Sequence, residues 1–435
     1  MHVAAGGSAV AQAGHAAQSA GRVLFASLIG TTIEYFDFYA YTTAAVLVFP
    51  KLFFPAADPS SATLQSFATI ALAFLARPFG SAFFGHFGDR MGRNVTLAAA
   101  LLTTGLSTVL IGLLPTYAAV GVLAPVLLAL CRVGQGAGLG GEWAGAVLLA
   151  TENAPPGKRS WYGMFPQLGA PLGFCCATGT FTLLSGWLSV GEFFSWGWRI
   201  PFLASAILFF IGLYVRLRLP ETPEFQQVIA GNQRVRFPLR IVCAGHLQAL
   251  LLGTYAAIAA FVIFYLMTVF SLTEDTSKLG FTRNEFQSAE FLSVQTIGVL
   301  LFALMIPVSA LLADRFGRRV TLSAATVGVV AFGIGFPPLL HSGTFAGVLT
   351  FFVLGFSLAG LSYGPLGAAL AELFPAPVRY TGASLAFNLA SILGTSLAPY
   401  TATWLATNYG LAYVGYFLSV VALLTLIALL LMENG

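Results

Sequence analysis

Five ionisable side chains interrupt the apolar segments in the first third of this chain. Glu34 and Asp37 lie in the run 33–38, Arg77 in 74–79, and Arg132 and Glu142 in 127–146. Only 8% of the residues are charged and 57% are hydrophobic. A charge at membrane depth costs about 2.5–3.5 kcal/mol even on insertion scales unless it is paired or faces water. Such a cluster points to a pathway for protons or solute. Glu34, Asp37 and Tyr41 stand at i, i+3 and i+7, on one face of a helix. A carboxylate facing a cavity can hold a proton through desolvation and release it when a cation approaches, so Asp37 and Glu34 are candidates for proton coupling. Arg77 precedes Asp89 by about 18 Å of helix, near mid-membrane. Its planar fork can take both oxygens of a carboxylate. Arg132, Gln135 and Glu142 can share one broad helix face. The competing reading is purely structural ion pairing, of Asp37 or Glu34 with Arg77 or Arg132; Glu142 fits either role.

These side chains need helices that cross a bilayer, about 20 apolar residues each. With 435 residues and a mean hydropathy of +0.85, the chain offers twelve: 24–49, 62–86, 95–115, 118–148, 161–187, 196–218, 244–270, 287–312, 320–340, 345–370, 379–405 and 410–432. An all-α membrane protein is expected. The first span is too long for a signal peptide and lacks a small-residue cleavage site. Residues 1–21, rich in Ala, Gly and Gln, are expected to form a disordered tail. Lys and Arg set the orientation. With a cytoplasmic N-terminus, fourteen basic residues fall inside, Arg22, Arg216, Arg240 and Arg319 among them, against Lys51, Arg199, Lys278 and Arg283 outside. This predicts a multi-pass protein of a bacterial cytoplasmic (inner) membrane with both termini cytoplasmic. The net charge of +4 reflects that bias and gives no reason to invoke nucleic acid. The four Cys and five His show no metal-ligand spacing, and no cofactor is expected.

The chain repeats its own punctuation. Asp89-Arg90-Met91-Gly92-Arg93 recurs as Asp314-Arg315-Phe316-Gly317-Arg318, each trailed by Val-Thr-Leu. Glu152-x-x-Pro-x-x-x-Arg159 recurs as Glu372-x-x-Pro-x-x-x-Arg379. Two tandem six-span halves follow, 22–218 and 244–435, joined by a polar cytoplasmic linker at 219–243. Such repeats build secondary transporters, with the solute site between the halves. Each turn glycine permits a tight connection, and the surrounding acids and arginines could form a clasp that holds one conformation and releases in the other.

Read together, segments 30–55, 75–93, 132–146 (RVGQGAGLGGEWAGA), 196–202 (WGWRIPF), 220–225 (PETPEF), 311–319 and 372–394 resemble the major facilitator superfamily and, within it, the metabolite:H+ symporter family. The likeness covers nearly the whole chain from residue 24. It implies the major facilitator fold of two six-helix bundles and a proton-coupled symporter importing a small organic solute by alternating access. That solute is first of all an organic acid, mono- or dicarboxylate. The alternatives are a symporter of a zwitterionic osmolyte or amino acid, and a proton-driven exporter of the same fold. By the same resemblance Asp37 and Arg132 match the aspartate–arginine coupling pair of the related sugar porters, and Arg77 and Arg199 match solute-binding arginines of the organic-acid members. A sugar is disfavoured, since span 7 lacks the paired glutamines of sugar porters. Asn94 replaces a basic residue usual in the family and is expected to weaken the first clasp. The tail after Leu431 is shorter than that of the osmosensing members.

Gly136-Ala-Gly138-Leu-Gly140-Gly141 fits a dinucleotide-binding pattern, but no strand precedes it. Small-residue helix packing at Gly134/Gly138 and Gly141/Gly145 is the better reading. The second half is nearly free of buried charge; Tyr363 and Asn388 are its candidates for lining the solute site, with Tyr41 and Gln135 from the first half. The partners expected are a small-molecule substrate, protons and the lipid bilayer, with a monomer as the working unit. A membrane-embedded enzyme would need a nucleophile–base or metal cluster that the sequence does not display. A passive channel would not need two matched clasps.

Overall fold

The computed structural model describes residues 3–55, 59–218, 221–271, 289–340 and 345–432. Lys278 and Arg283 lie outside them. The first half contains α1 (Val3–Leu47), α2 (Pro59–Met91), α3 (Arg93–Leu113), α4 (Leu123–Thr151), α5 (Arg159–Trp187) and α6 (Ile200–Leu217). Two short helices, α7 (Pro223–Ala230) and α8 (Pro238–Gly245), cross the linker. The second half contains α9 (Leu247–Tyr265), α10 (Ala289–Phe316), α11 (Arg318–Ile334), α12 (Phe345–Tyr363) continued by α13 (Leu366–Glu372), α14 (Arg379–Ser391), α15 (Leu397–Tyr409) and α16 (Leu411–Leu431). A π-helical turn, Ile392–Ser396, joins α14 to α15 into one crossing. Twelve crossings result among the described residues. Ten are long and apolar enough by composition alone; α11, with 17 residues, is slightly short, and α1 supplies the first. The backbone of α1 is helical from Val3, where the sequence suggested a disordered tail over 1–21. Alanine, the strongest helix former, extends the span there.

Helices that are apolar all round belong in lipid. Phe79, Phe210, Leu217 and Tyr400 point outward, 65–77% exposed, from helices that cross the bundle. Inside, glycines bring backbones together. A Cβ on Gly80 would lie 1.9 Å from the Ala137 carbonyl oxygen, and one on Gly140 would lie 2.1 Å from that of Arg77. Gly134 and Gly138 meet α3 at Ser107 and Thr104. The glycine run of α4 is therefore a packing surface, and it draws α2 close enough to place Arg77 at the centre of the molecule. The halves meet where α2 packs on α14 and α5 on α10.

Candidate functional site

Between the halves lies a cavity lined by Tyr35, Phe38, Tyr39 and Arg77 on one side and Phe261, Phe264, Tyr265, Phe302, Tyr363, Ser391 and Thr395 on the other. Arg77 is the charged member. Its guanidinium lies over the Phe74 ring at 4.5 Å and donates to Ser391 Oγ at 3.3 Å. Its Nε has no hydrogen-bond partner, and no carboxylate pairs with it among the described residues. Ser391 and Thr395 reach the cavity from the end of α14 and its π-helical turn, a distortion often found at functional sites. Tyr363 shares a 2.8 Å hydrogen bond with Tyr35, linking the halves across the cavity. Gln167 donates to the Tyr363 carbonyl at 2.9 Å and accepts from Trp143 Nε1 at 2.8 Å; Trp143 in turn stacks on Phe387.

Asp37 and Arg132 do not touch. Asp37 is buried and accepts from Thr108 at 2.9 Å and Ser205 at 2.5 Å. Gln135 Nε2 donates to Thr108 at 2.8 Å, and Arg132 donates to Gln135 Oε1 while lying 3.8 Å over the Tyr41 ring. The coupling pair implied by the resemblance is thus a chain, Arg132–Gln135–Thr108–Asp37, with two polar side chains between the charges. Tyr41 and Gln135 belong to this buried layer, Tyr41 closing it with a 2.5 Å bond to Thr69. They do not line the cavity.

Glu142 resolves toward pairing. It meets Arg216 of α6 at 2.8 Å, both fully buried. Arg216, which positive-inside reasoning read as a surface charge, lies within the bundle. It presses against α1 where a Cβ on Gly30 would come 2.0 Å from its Nη2. One turn along α1, Glu34 is 5% exposed and its Oε2 has no hydrogen-bond partner. Two other candidates also lie away from the cavity. Arg199 donates to the Gly112 and Leu114 carbonyls, 2.7 Å each, and stacks on Trp198. Its Nη1 group satisfies both carbonyls at the end of α3. Asn388 donates to Ser81 Oγ at 2.8 Å and to the Gly140 carbonyl at 3.1 Å, sewing α14 to α2 and α4.

At the arginine-rich face the repeated motifs interlock. Asp89 accepts from the backbone N–H groups of Tyr380 and Thr381 at 3.1 and 3.0 Å and from Thr381 Oγ1 at 2.7 Å. Asp314 accepts from the N–H groups of Ser160 and Trp161, 2.9 Å each. Each aspartate therefore caps a helix N-terminus of the opposite half, where free donors and the helix dipole favour an anion. Gly92 and Gly317 turn at φ 128° and 93°, a region open to glycine. Around them Glu152 meets Arg93 and Arg379 at 3.5 Å each, and Glu372 meets Arg159 at 3.5 Å and also Arg318. Glu224 of the linker bridges Arg159, at 2.6 Å, to Arg379. Thr222 donates to Glu152 at 2.5 Å. Arg90 and Arg315 stay outside the clasp: Arg90 contacts His86, and Arg315 lies over Phe316. The backbone N–H of Asn94 contacts Glu221 at 3.4 Å. Sequence reasoning missed Tyr35, Gln167, Arg216, Thr222 and Glu224; only the PETPEF stretch carried a signal, through the resemblance.

Comparison with known proteins follows this geometry. A family model described as the Major Facilitator Superfamily matches residues 23–392 and 296–434. The chain is 57% identical over 418 residues to the inner membrane metabolite transport protein YhjE of Escherichia coli K12, covering 95% of this chain and 94% of that one. It is 35% identical to the shikimate transporter of the same strain, over 89% of this chain and 88% of the relative. Identity to that strain's proline/betaine transporter is 33%, over 93% and 82%. Among solved structures, the proton:xylose symporter XylE bound to 6-bromo-6-deoxy-D-glucose matches with a TM-score of 0.74 at 16% identity, over 94% of this chain and 95% of that one. That is a likeness of fold.

Proposed function

Because this chain belongs to the major facilitator superfamily and its metabolite:H+ symporter family, and is a multi-pass inner-membrane transporter rather than an enzyme, we propose that it imports a small organic acid together with protons. The observation that carries the reading is Arg77: a buried guanidinium, unpaired with any described carboxylate, on a cavity otherwise walled by rings and hydroxyls. A buried charge with one hydroxyl, two ring faces and no carboxylate at ion-pair distance is poorly compensated, and a solute carboxylate would complete it. The aromatic walls suit a compact carboxylate with a ring or short carbon skeleton. Halves 22–218 and 244–435 rock about the linker 219–243, the clasp closes the cytoplasmic side, and both termini lie in the cytoplasm. Asp37 carries the proton, with the chain to Arg132 sensing its charge and Glu34 as the neighbouring acid. The working unit in this reading is a single protomer.

The second reading is a zwitterion carrier. Phe261, Phe264, Phe302 and Tyr363 offer ring faces that could hold a quaternary ammonium by cation–π attraction, with Arg77 on the carboxylate. The test is uptake by purified protein in proteoliposomes under an imposed inward proton gradient. Organic acids, betaines, amino acids and a sugar would be compared. Accumulation of an acid that collapses with the gradient is expected. Accumulation of betaine or proline alone would select the second reading, and gradient-driven efflux would make the protein an exporter.

A further inference from the structure

Where the outer surface of α2 reaches the arginine-rich face, a second pocket opens that plays no part in the transport path. Phe87, Arg90, Met91, Arg234, Val235 and Arg236 line it. Three of these six are arginines and none is acidic. No ion pair involves Arg90, Arg234 or Arg236 among the described residues. Arg90 is steered by a 3.1 Å contact with His86, Arg236 lies 5.3 Å over the Phe237 ring, and Phe237 faces His86. The three guanidinium groups thus surround one space without a counter-charge.

The surroundings are those of a lipid. Phe79, Phe83 and Met91 run down the outward face of α2 toward the pocket, 77%, 58% and 61% exposed, on a helix that spans the bilayer. A cationic pocket at the end of an outward apolar stripe matches an anionic head with acyl chains beneath it. We propose that this pocket binds the phosphate of an anionic phospholipid, with the chains lying along that stripe. The bound lipid also has a structural consequence. Arg90 belongs to the first half, whereas Arg234 and Arg236 lead into α8, which bridges the halves by packing on α2 of the first and on α9 and α14 of the second. One phosphate shared among them ties the halves together on the face that the clasp closes, so the lipid favours the clasped state.

The experiment compares intact protein in nanodiscs of phosphatidylcholine with nanodiscs containing phosphatidylglycerol, reading thermal stability and the lipid retained in native mass spectra. Wild type is expected to be stabilised by phosphatidylglycerol and to retain it. The variant Arg90→Gln/Arg234→Gln/Arg236→Gln removes exposed side chains only. Each arginine near an anionic leaflet contributes about fivefold, so the triple change should weaken retention by on the order of a hundredfold. Arg315→Gln, at the equivalent turn of the second half, serves as the control for diffuse surface charge and should leave retention unchanged. An equal loss with Arg315→Gln, or unchanged retention in the triple variant, would overturn the site. Inorganic phosphate and glycerol phosphate form a separate arm. Displacement of the lipid by either at millimolar concentration would make this a soluble-phosphate site and overturn the lipid assignment.

Discussion

Neutralising Asp89 should open the clasp far more than neutralising Asp314. In the closed arrangement Asp89 is fully buried and accepts three hydrogen bonds from the first turn of α14, while its bond to Arg93 stays within its own half. Opening breaks only the three. Asn has the same shape and can keep one acceptor, but it loses the charge. Charge-assisted bonds contribute about 1.5–3 kcal/mol each before water compensates in the open state, and a charge at a helix N-terminus adds up to about 2 kcal/mol. The net difference for Asp89→Asn is about 2–3 kcal/mol, a shift of roughly 30- to 150-fold toward the open state. Asp314 is half-exposed and accepts two backbone bonds, so Asp314→Asn is worth about 1 kcal/mol, or fivefold. Folding should survive in Asp89→Asn, because Arg93 keeps Glu152 at 3.5 Å and the Ala376 carbonyl at 2.9 Å. A cysteine at Ala371, buried beneath Glu152, Glu224, Glu372 and Arg379, would report opening by maleimide labelling in a background free of Cys131, Cys175, Cys176 and Cys243. An Asp314→Asn effect equal to or larger than that of Asp89→Asn would refute the reasoning from burial and bond count. Unchanged labelling in both would leave these turns as topology signals.

Four further outcomes are expected. Asp37→Asn should abolish accumulation driven by a pH gradient and spare solute exchange at equal pH; accumulation at the wild-type rate would move the proton to Glu34. Arg77→Lys keeps the charge and loses the fork, so a thermal-shift titration with the transported acid should need at least about tenfold more ligand, and an unmoved curve would exclude recognition by the guanidinium. Arg216→Gln strands Glu142 in the core and should destabilise by about 3–5 kcal/mol, with Glu142→Gln/Arg216→Gln recovering most of it; a double variant as unstable as the single would show that the pair is not the cause. Gly140→Ala drives a methyl into the Arg77 carbonyl and should lower the melting temperature through overpacking of about 1–3 kcal/mol, whereas an unchanged melting temperature would mean that α2 and α4 can part freely.

The spans and the doubled motifs were legible because they are local: an apolar run and a short string of acids, arginines and glycine keep their meaning in one dimension. Partner choice was not, and the failures share a cause. The resemblance to sugar porters paired Asp37 with Arg132, yet the bonds of Asp37 go to Thr108 and Ser205. Threonine and serine in an apolar helix carry no sequence signal, since they can return their hydroxyl to their own backbone. Thr108 has that choice within reach, the Thr104 carbonyl lying 3.0 Å from the same hydroxyl as an alternative acceptor to Asp37. Arg216 was misplaced because a residue near a span's end reads as surface charge, and depth depends on how six helices tilt against one another. Asn388 looked like a lining residue because a lone amide in an apolar span needs a partner. The partner is the Gly140 carbonyl, exposed only because that position has no side chain. The glycines of α4 thus serve twice, admitting α2 so that Arg77 reaches the cavity and baring a carbonyl that holds Asn388 away from it. Orphaned nitrogens alone do not single out a site, since Arg132 and Arg216 also keep theirs within the bundle; Arg77 differs in that its guanidinium lines the cavity between the halves.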